Sequence, residues 1–232
     1  MLLRNTDTVI TRPEAINAFM RGVYLWMSVG LAVTALLSYL TITAFSLREL
    51  FQYRYVMFGL IAAEFLLVIA LSAAINKMSA FVATALFLLY SALNGVTIAP
   101  VLLLYTRASV FQAFLTAAGM FGAMSVYGMV TKRDLTGMGS FMMMGLFGIV
   151  IAMIVNFFVQ SSMLSLGISI LGVFIFLGLT AYDTQKLRRM GESAPEDDMT
   201  AVQRGTILGA LTLYLDFINI FLFLLRFMGD RR

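Results

Sequence analysis

Three carboxylates in this chain stand where carboxylates are expensive. Asp216 sits in "LYLDFINIF", inside an apolar run over residues 207–225, Glu64 in "LIAAEFLLV", and Asp183 at the end of an apolar stretch in "TAYDTQKLRR". At a membrane-helix centre an Asp costs about 2.5–3.5 kcal/mol, so it faces protein or water rather than lipid. Two carboxyls brought together share a proton and titrate jointly, and once ionised they are hard oxygen ligands for a cation such as Ca²⁺. Asn in place of Asp216 would supply a similar hydrogen bond without the charge, which favours a functional role for this residue. Thr212, Asp216 and Asn219 are spaced four and three apart and share one helix face. For Thr212, as for Asn94 and Asn156, the preferred reading is a structural interhelical bond of about 1 kcal/mol. Glu64 is open between a protonated acid bonded to nearby backbone and a cation-path residue. Asp183 on its own reads equally well as an interfacial carboxylate near Lys186.

Composition narrows the chemistry. The 232 residues are 61% hydrophobic and 12% charged, with a mean hydropathy of +0.93, against about a quarter charged in soluble domains. This is the composition of a polytopic membrane protein. Histidine and cysteine are both missing, which removes histidine acid–base catalysis, Ser-His nucleophiles, histidine metal sites and thiolate or disulfide chemistry. No phosphate-binding glycine loop or nucleophile elbow is present, and the chain reads as a non-enzyme. Its net charge of +4 reads as Lys and Arg that set topology, not as a nucleic-acid surface.

The elements that must position these groups are spans of about 20 apolar residues each. Seven candidates run over 23–44, 56–75, 80–104, 109–130, 138–159, 164–182 and 207–225, giving an all-α seven-helix membrane domain over residues 23–232. Residues 1–22 are expected to form a cytoplasmic N-terminal segment with a short amphipathic helix at the interface. "TRPE" (11–14) has capping-box spacing, and Ile16, Phe19, Met20 and Val23 recur at helical spacing. With the N-terminus inside, ten of the 16 Lys and Arg fall on inner segments, which favours a cytoplasmic N-terminus and a periplasmic C-terminus. Ala118 and Gly122 have a small-xxx-small spacing that marks close helix packing, and Pro100 is expected to kink the third span.

"LTLYLDFINIFLFLLRFMG" (211–229) and "GLTAYDTQKL" (178–187) resemble the signature segments of the Bax inhibitor-1 (TMBIM) family, in particular its bacterial inner-membrane members. "LYSALNGVT", "AGMFGAMSVYG" and "TKRDLTGMG" extend the similarity from about Arg21 onward. The resemblance implies a seven-helix bundle with the seventh helix central, and a pH-sensitive calcium leak. It implies that Asp183 and Asp216 form a hydrogen-bonded pair that senses pH, gates, and meets Ca²⁺, with Glu64 near the cation path. Ca²⁺ and protons are then the partners, with the bilayer and a membrane protein such as a protease. No cofactor is implied. Some relatives latch the pair with an arginine after the second helix, where this chain has only Lys77, a weaker and non-bidentate substitute. Spacing alone leaves Asp183 near the inner surface and Asp216 about 14 Å into its span, so pairing requires the sixth helix to continue past Asp183. Two other classes stay open. One is a non-transporting regulator of a membrane protease. The other is an intramembrane aspartyl protease, disfavoured because "LYL" precedes Asp216 instead of Gly-x-Gly and no Pro-Ala-Leu follows.

Overall fold

Helix starts in this chain are written in short polar residues. In the computed structural model, which describes residues 13–193 and 198–230, Ser79, Thr106, Ser161 and Asp198 each accept from the backbone N–H three residues on, at 3.2, 3.2, 3.3 and 2.9 Å. Those bonds satisfy donors that the first helical turn leaves free. They open α4 (Ala80–Leu103), α5 (Arg107–Val130), α7 (Ser162–Glu192) and α8 (Met199–Met228). The remaining elements are α1 (Pro13–Ala44), a short α2 (Leu47–Gln52), α3 (Arg54–Ala74) with a 3₁₀ turn at Ile75–Lys77, and α6 (Thr136–Val159). The helix α6 ends at Gln160, whose φ of 54° is left-handed, and the Asn156 side chain accepts from Ser161 N–H at 3.0 Å to close that turn. Seven of the helices are long and apolar enough to cross a membrane, and no strand occurs among the described residues. The chain is an all-α polytopic membrane protein.

The seventh crossing, α8, is the centre. Within its most apolar stretch 72% of the residues are buried, against 6–44% in the other six. It packs on α1, α4, α5 and α7, while α3 lies outside against α4 and α6 outside against α7. Close approaches fix these contacts. A Cβ on Gly95 would lie 2.6 Å from the Thr34 carbonyl, and one on Gly128 would overlap the Ala181 carbonyl. The Ala118/Gly122 spacing marks no such approach, since a Cβ on Gly122 meets nothing within 4 Å.

Two elements differ from the sequence expectation. No break separates an interfacial helix from the first span: α1 is a single helix of 32 residues, about 48 Å long. Its early apolar stripe is buried in protein, with Phe19 beside Gly191 and Gly205, and Gly22 beside Thr206. The stripe is covered by the ends of α7 and α8 instead of lipid headgroups. Thr11 of the capping box, and Arg4, Arg12, Arg231 and Arg232 of the charge count, lie outside the described residues. Secondly, α7 runs nine residues past Asp183, to Glu192. Polar residues carry that helix beyond the apolar stretch.

With the starts of α1 and α8 together, the far end of α8 meets the start of α5. Thr106 N–H donates to the Asp230 carbonyl at 3.1 Å and Asp230 N–H to the Ser109 hydroxyl at 3.0 Å. The described chain therefore begins and finishes at opposite ends of the bundle.

Candidate functional site

The central helix carries polar side chains on opposite faces. Towards α7 it presents Asp216, which is 4% exposed. Thr180 of α7 lies near this carboxyl, but its hydroxyl donates to its own helix carbonyl at Phe176 at 2.7 Å. A hydroxyl has one proton, so it cannot fully serve both acceptors. The second carboxyl oxygen of Asp216, Oδ2, is buried with no hydrogen-bond partner. Asp183, half-buried on α7, is near enough that its charge acts on Asp216. No direct hydrogen bond joins the two among the described residues. An ionised Asp216 in this setting has too few donors, a condition met by a proton or by a cation.

Thr212 and Asn219 do not join this cluster. Each donates to the carbonyl four residues back on α8, Leu208 at 3.0 Å and Leu215 at 2.8 Å. Sharing a helix face with Asp216 does not bring these side chains to it.

On another face α8 presents Tyr214, fully buried, and a chain of polar contacts runs from it across three helices. Tyr214 donates to Asn94 Oδ1 of α4 at 3.1 Å. Asn94 Nδ2 reaches Glu64 Oε2 of α3 at a loose 3.5 Å, and the Thr97 hydroxyl donates to Glu64 Oε1 at 2.7 Å. In the other direction the Tyr214 hydroxyl lies 2.6 Å from that of Thr34 on α1, which lies 2.8 Å from the Ser91 carbonyl. Glu64 is buried, and its partners are side chains, not backbone. Tyr90 also lies within reach of its charge. Two hydroxyl protons must serve three contacts between the Ser91 carbonyl and Asn94 Oδ1. Turning the Asn94 amide over would complete them, since Nδ2 could then donate to Tyr214. The Asn94 oxygen would then face Glu64, which suits only a protonated acid. Asn94 was legible as a structural hydrogen bond. Tyr214 and Thr34 carried no signal, because such residues are ordinary in membrane helices.

The basic residues fall elsewhere than expected. Lys77 is exposed in the 3₁₀ turn after α3 and makes no ion pair among the described residues. Instead Arg204 of α8 reaches back to that turn, donating through Nη1 to the carbonyls of Asn76 at 2.7 Å and Met78 at 3.3 Å. The cation within reach of Asp183 is Lys186, one turn on. The rest of the α7 extension fastens the 131–135 loop. Arg188 donates to the Met129 carbonyl at 2.6 Å and Gln185 Nε2 to that of Arg133 at 2.8 Å. Arg189 pairs with Asp134 at 2.9 Å. Bonds from the Thr136 hydroxyl and N–H, with Arg189 adding to them, hold the exposed Asp134 carboxyl down at about 2.

Comparison with known proteins matches this sequence to a family and to relatives in several bacteria. The family described as "Inhibitor of apoptosis-promoting Bax1" matches residues 16–232. The inner membrane protein YbhL of Escherichia coli K12 is 49% identical over 228 residues, which cover 98% of this chain and 97% of that protein. A protein of Borreliella burgdorferi is 48% identical over 93% of each chain. A membrane protein of Streptococcus pyogenes serotype M1 is 37% identical over 97% of this chain and 98% of its own.

Proposed function

The chain belongs to the Bax inhibitor-1 family of membrane proteins, and on that premise we propose that it is a pH-sensitive calcium leak gated by Asp183 and Asp216. The observation that supports this most is the Asp216 carboxyl, buried on the central helix with one oxygen unpartnered and a second carboxyl within electrostatic reach. Such a pair titrates as one system. With one proton held between them, an O–H···O⁻ bond ties α7 to α8. Loss of that proton leaves two like charges in a poorly hydrated place, loosens the contact and frees oxygens for Ca²⁺.

The ligand count suits passage. Ca²⁺ takes six to eight oxygens, and no group of three or more acidic side chains lies together among the described residues. Water, backbone carbonyls and the Thr180 hydroxyl must complete any shell the pair begins. An ion held so incompletely can leave again, as conduction requires. Glu64 lies across α8 from the pair, and its assignment to the cation path rests on the family resemblance. The membrane is the bacterial inner membrane, as for the Escherichia coli relative, with the N-terminus cytoplasmic on the charge bias.

The test is calcium entry into liposomes holding the purified protein and a calcium dye, from about pH 6 to about pH 8. Entry above that of empty liposomes, rising with pH, is the expected result. No entry above the empty control at any pH in that range rejects the reading.

A further inference from the structure

A slot of about 620 Å³ opens between α1, α4, α5 and α8, with no acidic side chain in its lining. On one side it follows α1 from Leu31 to Thr43, and the facing walls include Leu102, Phe114 and Phe221. The phenols of Tyr39 and Tyr105 also line it, and three aliphatic hydroxyls face it with their protons committed. Ser38 donates to the Gly95 carbonyl at 2.7 Å, Thr43 to carbonyls of its own helix at 2.9 and 3.0 Å, and Thr34 lies in the Tyr214 chain. One full charge lines the slot: Arg107, the exposed first residue of α5, with no ion pair among the described residues. The positive end of the α5 dipole adds to it.

The dimensions select an occupant. Seven residues of α1 line the slot, and the twelve-residue rise from Leu31 to Thr43 gives a depth of about 18 Å at 1.5 Å per residue, while one leaflet of hydrocarbon is about 15 Å deep. The slot therefore runs from the surface end marked by Arg107 past Thr34 to mid-bundle at Leu31. Its volume lies within the roughly 300–1,000 Å³ of small-molecule sites. An apolar channel one leaflet deep with a lone guanidinium at its mouth matches a hydrocarbon chain that ends in an anion.

We infer that the slot holds one acyl chain of an anionic phospholipid from the adjoining leaflet, its phosphate paired with Arg107. Guanidinium and phosphate meet through paired N–H···O bonds. A zwitterionic headgroup brings its own cation to the same place and so gains less. The chain passes Thr34, the residue bonded to Tyr214, so an occupied slot props α1 at the point where it touches the central helix.

Native mass spectrometry of the whole protein tests this, after exposure to micelles holding equal dioleoyl-phosphatidylglycerol and dioleoyl-phosphatidylcholine. One retained lipid is expected, phosphatidylglycerol favoured by about fivefold, the scale of a single exposed ion pair. Arg107→Gln should erase the preference while a lipid is still retained. Arg226→Gln, an exposed arginine at the same end that does not line the slot, should leave the preference intact. Ala35→Trp, or Leu102→Trp from the opposite wall, should fill the slot and abolish retention. Three results would overturn the assignment: no lipid held above the free-micelle level, equal loss of preference in both arginine variants, or a retained mass that is a free fatty acid.

Discussion

Replacing Tyr214 by Phe removes one oxygen from the centre of the bundle and little else. The ring stays, and with it the edge-on contacts to Phe87 and Tyr90, at centroid distances of 5.9 and 5.8 Å. What is lost is the donor to Asn94 at 3.1 Å and the contact with Thr34 at 2.6 Å. Leaving a buried acceptor such as Asn94 Oδ1 unmet costs about 1–3 kcal/mol, while interhelical bonds in membranes average about 0.6 and reach about 1.7 kcal/mol. The Thr34 hydroxyl keeps the Ser91 carbonyl, so only one group is stranded, and the expected loss is about 1–2 kcal/mol. Reversible unfolding of the purified protein in mixed micelles, followed by circular dichroism, measures it. In a double-mutant cycle with Asn94→Ala the two changes should couple by about 0.6–1.7 kcal/mol. A loss below about 0.3 kcal/mol with strictly additive behaviour would show that Tyr214 packs without bonding.

Glu64→Gln supplies an amide that Asn94 can meet by turning over, so the fold should lose no more than about 1 kcal/mol while calcium flux falls; undiminished flux across a calcium titration would return Glu64 to a packing role. Asp134 is an acid whose carboxyl is held low, at about 2, so its contribution is present above the ordinary carboxylate range and lost only as pH falls towards 2. The flux response near neutral pH should therefore survive Asp134→Asn, and a shifted profile would locate the sensor in the 131–135 loop. Arg204→Ala should speed hydrogen exchange in residues 75–79, because the carbonyls of Asn76 and Met78 lose their clasp, whereas Lys77→Ala should not; equal exchange in both variants contradicts the clasp.

Hydropathy locates the spans because a membrane helix must hide its backbone within about 20 apolar residues. The same criterion stops at the last apolar residue, which is why it ends the sixth span before Asp183 and begins the seventh at Ile207. Polar helix beyond the hydrocarbon, from Thr184 to Glu192 and from Met199 to Thr206, carries no hydropathy signal. The early stripe of α1 was visible, but periodicity does not say whether lipid or protein covers it. Here Gly191 and Gly205 make room for Phe19. The short α2 was readable in principle: Ser46 and Glu49 form a reciprocal cap, with Ser46 N–H donating to the Glu49 carboxylate at 2.7 Å. Asp216 announced itself by its cost, and Asp183 came through resemblance. Tyr214, Thr34 and Arg204 could not be found, since each acts on a neighbour 120 or more residues away and no local pattern marks them.

The central claim is that Asp183 and Asp216 titrate together and gate calcium passage. Its most direct test is the pH profile of calcium flux through Asp216→Asn and Asp183→Asn in liposomes. Asn keeps the shape and a hydrogen-bonding side chain, but a pair with one acid can never carry two charges. Both single variants should lose most of the pH dependence seen in the parent, and the double variant should be no worse than either, because groups that act as one unit are not additive. A parental pH profile in both single variants contradicts the account and leaves Asp216 as a packing residue of the central helix.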